Sequence, residues 1–309
     1  MSGRSLRSLL FVPGDSERKQ AKALQSAADA LLLDLEDSVA PAQLPAARAR
    51  VRDLLQSRSD RSRQRLWVRV NASSTGLLLQ DLAAVVPGGP DGVVLPKASS
   101  ASDLIELSHF LAALEAREGL PVGSTRILAI VTETPGSVLN LGGYASALTS
   151  HPDVLQRVAG LTWGLEDLSA AMGITRKTDA QGSMTFTFQL ARSLCLFCAS
   201  SIGVQAIDSV HVDFRDLTGL KDRLEDARRD GFSGKLAIHP DQVGPINEAF
   251  IPPAAEVDWA RRVVAAFSSD PDAGVTSLDG QMIDKPHLLQ AQRILELASR
   301  PRAAGKETA

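Results

Sequence analysis

Glu36 with Asp37, Glu133, Glu166 with Asp167, and Asp208 share one setting in this 309-residue chain: each follows or closes a short apolar run. Leu31-Leu32-Leu33 leads into Asp34-Leu35-Glu36-Asp37, and Ile127-Leu128-Ala129-Ile130-Val131 leads into Thr132-Glu133. Gly14, Arg69 with Asn71, Lys97, His211 and His239 stand at equivalent places. Four to six carboxylates converging in a partly buried pocket, without opposing structural cations, would repel one another strongly. A divalent cation resolves that conflict. Hard oxygen ligands in small number, with water or substrate completing an octahedron, suit Mg²⁺, and Mn²⁺ stays open. No His pair stands at metal spacing and no Cys is placed to ligate, which argues against Zn²⁺.

The cationic positions admit two readings each. Arg69 has the planar fork that grips a carboxylate or an enolate oxygen; the alternative is an ion pair with Glu36 or Asp37. Lys97 could form a Schiff base with a carbonyl substrate, but so many acids nearby would hold it protonated, which favours an ion-pair role. His239, followed by Pro240, reads as a loop residue showing only its backbone to a ligand. Cys195 and Cys198 form a CxxC within an apolar helical stretch and read as inert core thiols.

One architecture brings all these positions to a common axis. Apolar runs of four to eight residues bounded by turn signals are strands buried on both faces. Eight of them fall near 6–12, 29–35, 65–71, 92–97, 126–132, 160–165, 203–210 and 235–239. Amphipathic helical stretches lie between most of them: Glu17–Ala27, Leu44–Gln56, Leu77–Val85, Ala101–Arg117, Phe186–Ser201 and Leu217–Asp230. The alternation predicts an α/β fold, a (β/α)₈ TIM barrel over 1–250, whose active site lies at the strands' C-terminal ends. Polar Thr175–Thr187 is expected as a mobile loop over the pocket. Beyond Pro252-Pro253, helical segments Ala255–Ala266 and Pro286–Ala298, separated by turn-rich Ser268–Gly280, form a C-terminal extension over 251–299; 300–309 reads as a disordered tail.

Composition narrows the function classes. With 44% hydrophobic and 22% charged residues the chain can bury a large core. A net charge of −3 argues against a general nucleic-acid binder. No apolar run suggests a leader or a membrane span, so a cytoplasmic enzyme without membrane or nucleic-acid partners is expected.

Read as strings, these clusters resemble the citrate lyase β-subunit and malyl-CoA lyase group of the HpcH/HpaI aldolase superfamily. The matching stretches include Arg7-Ser8-Leu9-Leu10-Phe11-Val12-Pro13-Gly14, Asp34-Leu35-Glu36-Asp37-Ser38-Val39, Val68-Arg69-Val70-Asn71, Leu95-Pro96-Lys97 and Glu133-Thr134-Pro135-Gly136. Later ones are Gly164-Leu165-Glu166-Asp167-Leu168, Asp208–Asp216, Gly234–Pro240 and Gly280–Pro286. The resemblance covers essentially the whole chain, and the Asp208–Asp216 and Met282–Gln292 strings look closest to free-standing citramalyl-CoA lyases. It implies that Glu133 and Asp167 bind Mg²⁺, that Arg69 contacts substrate near the metal, and that Glu36 and Asp37 are an acidic pair beneath the site. It places Phe11, Lys22 and the Ala237-Ile238-His239-Pro240 backbone where relatives contact coenzyme A. It makes Asp284, otherwise an exposed turn residue, an acid/base that a neighbouring subunit delivers. One departure is Ser16, where malyl-CoA lyases carry an arginine, so phosphate contacts there are expected either to be weaker or to come from Arg18 or Lys19.

The implied function is a Mg²⁺-dependent carbon–carbon lyase. It would act on citramalyl-CoA, malyl-CoA or citryl-CoA, giving acetyl-CoA and a 2-oxo acid, in a homo-oligomer of trimer or hexamer type. Two enzymatic alternatives are a β-subunit acting on a carrier-protein citryl thioester and a class II aldolase acting on a free hydroxy-oxo acid. The C-terminal extension speaks against the aldolase. A non-catalytic barrel is disfavoured because Arg69, Glu133, Asp167 and Asp284 occur together.

Overall fold

Eight apolar runs become eight parallel strands closed into a barrel, paired in sequence order from the first back to the eighth. They are β1 (Ser8–Pro13), β2 (Ala30–Asp34), β3 (Arg65–Arg69), β4 (Gly92–Leu95), β5 (Arg126–Ile130), β6 (Val158–Thr162), β7 (Gln205–Asp208) and β8 (Gly234–Ala237). The computed structural model describes residues 6–269 and 274–299, so the expected tail over 300–309 lies outside the described residues.

Side chains alternate across each strand, and this alternation both fills the barrel and arms its rim. Leu9, Ala30, Leu32, Trp67, Val94, Leu128, Ile130, Ile207 and Leu236 form one buried cluster. Burying a side chain such as Leu32 contributes roughly 1.5–3 kcal/mol. The face that carries Ala30 and Leu32 ends at Asp34, and the face that carries Trp67 ends at Arg69. Register pairs Asp34 with Arg69 at the C-terminal edge. Gly92 on β4 is required by close approach, since a Cβ there would collide with the Trp67 ring.

The helices α1 (Glu17–Leu24), α2 (Leu44–Ser57), α3 (Leu78–Val85) and α4 (Ala101–Glu118) follow β1 to β4. Ser16 caps α1 by accepting from the Lys19 N–H, and Ser100 with Asp103 forms a capping box on α4. The stretch after β5 holds three short helices that the sequence pattern did not separate: α5 (Pro135–Asn140), α6 (Tyr144–Thr149) and α7 (Pro152–Arg157). None is long enough to show a helical period. After β6 come α8 (Leu165–Ala171) and α9 (Phe186–Ser201), then α10 (Leu217–Asp230) after β7 and α11 (Val243–Ala249) after β8. Cys195 and Cys198 lie buried on α9 with free thiols, and burial pushes the Cys198 thiol up to about 12. No helix among the described residues is long and apolar enough to cross a membrane.

The chain divides into two compact units, the barrel up to Ile246 and a second unit from Asn247. In the second unit, α12 (Ala254–Ser268) and α13 (Lys285–Ala298) pack around Ala260, Val263, Phe267, Ile283 and Ala291. Between them the stretch read as turns also contains an antiparallel hairpin, β9 (Val275–Leu278) and β10 (Gln281–Asp284). Its two-residue turn is Asp279-Gly280, with φ of 53° and 77°. Asp-Gly between alternating segments is the signal for this turn.

Candidate active site

Arg69 is held at the barrel rim by Asp34. Its Nε donates to Oδ1 at 2.6 Å and its Nη2 donates to Oδ2 at 2.8 Å. Nη1 lies 3.0 Å from Glu36 Oε2, and Asp37 is farther at 3.9 Å. The guanidinium also sits over the Phe11 ring, 4.7 Å from its centroid. Burial pushes the Asp34 carboxyl up, but the Arg69 hydrogen bonds and charge outweigh it and leave the group below its ordinary value. Gly14 lets β1 run this close to β2, for a Cβ there would lie 2.5 Å from the Asp34 carbonyl oxygen. Asp34 was absent from the sequence-derived candidates. Its signal was its place on the same strand face as Leu32.

Lys97 links β4 to the carboxylates. Its Nζ lies 2.6 Å from Glu36 Oε1, 3.2 Å from Asp167 Oδ1 and 3.8 Å from Asp37. Its main-chain N–H donates to Glu133 Oε2. These contacts match an ion-pair role rather than a reactive amine: burial lowers the ammonium pKa, but Glu36 and Asp167 more than reverse this and raise it above its ordinary value. Lys97 adopts φ of 52°, in the left-handed region, at a strain of about 1–2 kcal/mol.

Glu133 is buried just beyond β5, where burial first, and then the Asp167 charge, push its carboxyl up to about 8. Gly164 gives it room, because a Cβ at 164 would collide with the Glu133 side chain. Asp167, in the first turn of α8, remains partly exposed. Among the described residues no group of three or more His, Cys, Asp or Glu is arranged to hold a metal. Two hard carboxylates, Glu133 and Asp167, line the cavity, and the Asp167 charge works against ionisation of Glu133. That set suits Mg²⁺.

The other acidic positions correct the expectation of acids without opposing cations. Asp208 is buried against Lys235 Nζ at 2.7 Å and Arg192 Nε at 3.2 Å, and it accepts from Trp163 Nε1 at 2.7 Å. Glu166 pairs with Lys177, within the loop expected over the pocket. Asn71 is buried on Asp81 and the Leu35 carbonyl. Cations supplied by distant strands and helices could not be assigned from sequence.

A cavity of ≈ 750 Å³ opens over these groups, lined by Asp37, Arg69, Glu133 and Asp167. Phe11, Lys22, Ile238, His239 and Pro240 line it as well, with Arg18 and Lys19 from α1. Ser16, spent on the α1 cap, leaves those two cations as its neighbours at the cavity. Glu36 is buried beneath, between Arg69 and Lys97. His239 presents more than backbone: its ring stacks on Phe214 at 4.7 Å, while the N–H groups of Ile238 and His239 both donate to Gln242 Oε1.

Asp284 belongs to the second unit. It closes β10, caps α13, and its Oδ1 lies 2.6 Å from His287 Nδ1.

Residues 7–240 match the HpcH/HpaI aldolase/citrate lyase family. The chain is 36% identical over 289 residues to a citrate lyase subunit beta-like protein of Mycobacterium tuberculosis, covering 94% of each. It is 33% identical over 294 residues to a (3S)-malyl-CoA thioesterase of Cereibacter sphaeroides, again covering 94% of each. A crystal structure of the Mycobacterium tuberculosis protein CitE in complex with magnesium, acetoacetate and coenzyme A superposes with a TM-score of 0.74 at 35% identity, covering 96% of this chain and 99% of that one. The barrel, the carboxylate pair at its rim and these full-length likenesses make the chain an enzyme of the HpcH/HpaI aldolase/citrate lyase family.

Proposed function

We propose that this enzyme is a Mg²⁺-dependent carbon–carbon lyase. Its substrate is a 3-hydroxyacyl-CoA thioester such as citramalyl-CoA, malyl-CoA or citryl-CoA, its products are acetyl-CoA and a 2-oxo acid, and the reverse condensation uses the same site. One observation carries the reading: a single cavity presents the Glu133–Asp167 pair and Arg69 together with the α1 cations Arg18, Lys19 and Lys22. The first group suits a 2-oxo acid, and the second suits the phosphates of coenzyme A. The Mycobacterium tuberculosis relative was crystallised with magnesium, acetoacetate and coenzyme A, which supports both halves.

Glu133 and Asp167 would hold Mg²⁺, which supplies Lewis-acid polarisation and a template for the oxo acid. Asp34 occupies two of the guanidinium's five N–H groups, so Arg69 keeps donors for the thioester oxygen, where negative charge develops in the enolate. Glu36 balances Arg69 and Lys97 from beneath, and Asp37 adds its charge from the cavity wall. Phe11, Lys22 and the Ile238–Pro240 segment receive coenzyme A. Asp284, delivered by a neighbouring copy in a homo-oligomer, moves the proton at the thioester methyl carbon. The free buried thiols suit a reducing cytoplasm.

A substrate panel tests this. With Mg²⁺ present, citramalyl-CoA, malyl-CoA, citryl-CoA, a carrier-protein citryl thioester, free citrate and 4-hydroxy-2-oxo acids are each followed for oxo acid, acetyl thioester and free thiol. Oxo acid from at least one CoA thioester, lost in Asp167→Ala, is expected. Cleavage of the carrier thioester alone would favour a β-subunit. Free thiol without oxo acid would make the enzyme a thioesterase instead.

A further inference from the structure

Lys97 stands where a glycine would take the backbone without strain, yet the chain carries a lysine there with φ of 52°. Both ends of that lysine are engaged. Its N–H donates to Glu133, and its ammonium lies 2.6 Å from Glu36 Oε1 and 3.2 Å from Asp167 Oδ1. Glu133 follows β5 and Asp167 lies on α8, so one residue beyond β4 ties together two carboxylates from separate elements. Arg69, bound to Asp34, also lies 3.0 Å from Glu36 Oε2, and Lys177 pairs with Glu166.

We propose that Lys97 is a positioning residue for the divalent-cation site. Its main chain fixes Glu133, and its ammonium is the internal counter-cation of Asp167, and with Arg69 of Glu36, until a metal binds. The inference rests on Glu133 and Asp167 being the metal's carboxylates. A tethered ammonium offsets the repulsion between Glu36 and Asp167 and holds both carboxylates toward one point without a metal, because it is a compact point charge with three donors. The same charge repels an arriving divalent ion, which must displace it from Asp167 and leave it on Glu36. Lys97 therefore orders the empty site and weakens metal binding, keeping the ion exchangeable.

Metal affinity and metal-free stability, read without turnover, test this. In Lys97→Met, Mg²⁺ and Mn²⁺ should bind about tenfold tighter by calorimetric titration. The melting temperature should fall without metal and approach wild type at saturating Mg²⁺. Lys97→Arg, which keeps the charge, should restore both values. Lys97→Gly suits the left-handed backbone and should match Lys97→Met in affinity, which covers a methionine variant that fails to fold. Unchanged or weaker binding in both charge-free variants, or an equal stability loss with and without metal, overturns the inference. Asp167→Ala separates the two readings, since it should bind neither ion. Wild-type Mg²⁺ binding by Asp167→Ala would bring down the metal site and this inference together.

Discussion

Asp34 and Arg69 form a two-pronged ion pair at the barrel rim, with N···O distances of 2.6 and 2.8 Å, because parallel register sets β2 and β3 side by side there. Breaking a buried pair on one side strands the other charge, at roughly 3–5 kcal/mol. Asp34→Ala should therefore lose about that much stability in urea unfolding. Asp34→Asn keeps one acceptor, so it should stay folded and lose at least about tenfold in kcat/KM, since an unanchored guanidinium no longer meets the thioester in one geometry. Wild-type kcat/KM in a folded Asp34→Asn enzyme would refute the positioning role.

Gly164 leaves the space that the Glu133 side chain fills. Gly164→Ala should displace Glu133 and weaken Mg²⁺ binding by about tenfold or more in calorimetric titration, with the circular dichroism spectrum unchanged. Undiminished affinity would show that Glu133 does not need that space.

Glu115 on α4 and Arg157 on α7 make a buried pair away from the cavity, with Nη1 to Oε1 at 2.8 Å and Nη2 to Oε2 at 3.0 Å. Burial pushes the Glu115 carboxyl up, but Arg157 and the Gly123 and Thr125 N–H groups outweigh it and leave it below its ordinary value. A folded pKa below the unfolded one means stability that is present above the unfolded value and lost as pH falls through the folded one. Wild type should thus lose urea resistance as the pH falls below the ordinary glutamate value of 4.5. Glu115→Gln should be less stable at pH 7 and show a shallower acid loss. Parallel pH profiles for the two proteins would rule this out.

Gly280 holds φ of 77° in the hairpin turn of the second unit. Gly280→Val should lower stability by about 1–2 kcal/mol, read as an earlier urea transition, whereas Gly280→Asn should lose less than half of that. Equal effects would mean that backbone handedness is not what the position requires.

Asp284→Ala should abolish turnover while calorimetry shows Mg²⁺ binding intact. Mixing Asp284→Ala with Arg69→Ala chains should restore part of the activity if each site draws on two copies. Two inactive parents that stay inactive after mixing would place Asp284 and Arg69 in the same chain's site.

The strand runs were legible because parallel strands buried on both faces read as uninterrupted apolar segments, and Leu31-Leu32-Leu33 has few other uses. Long helices such as α4 and α9 carried a full helical period. The helices α5 to α8, of six or seven residues, carried less than two turns of it and could not be told from loop. The β9–β10 hairpin is hidden differently: its alternating segments are four residues each, too short to stand out beside the turn signal of Asp279-Gly280.

By itself, the sequence determined the barrel and the ring of polar residues at its rim, because hydrophobic period and turn chemistry are local properties. Which cation neutralises which acid was decided only by the tertiary structure. Asp34 took Arg69, Asp208 took Lys235 and Arg192, and Lys97 came to stand between Glu36 and Asp167. Those choices follow from strand register and helix placement, and Coulomb attraction acts on distances in space rather than separations along the chain.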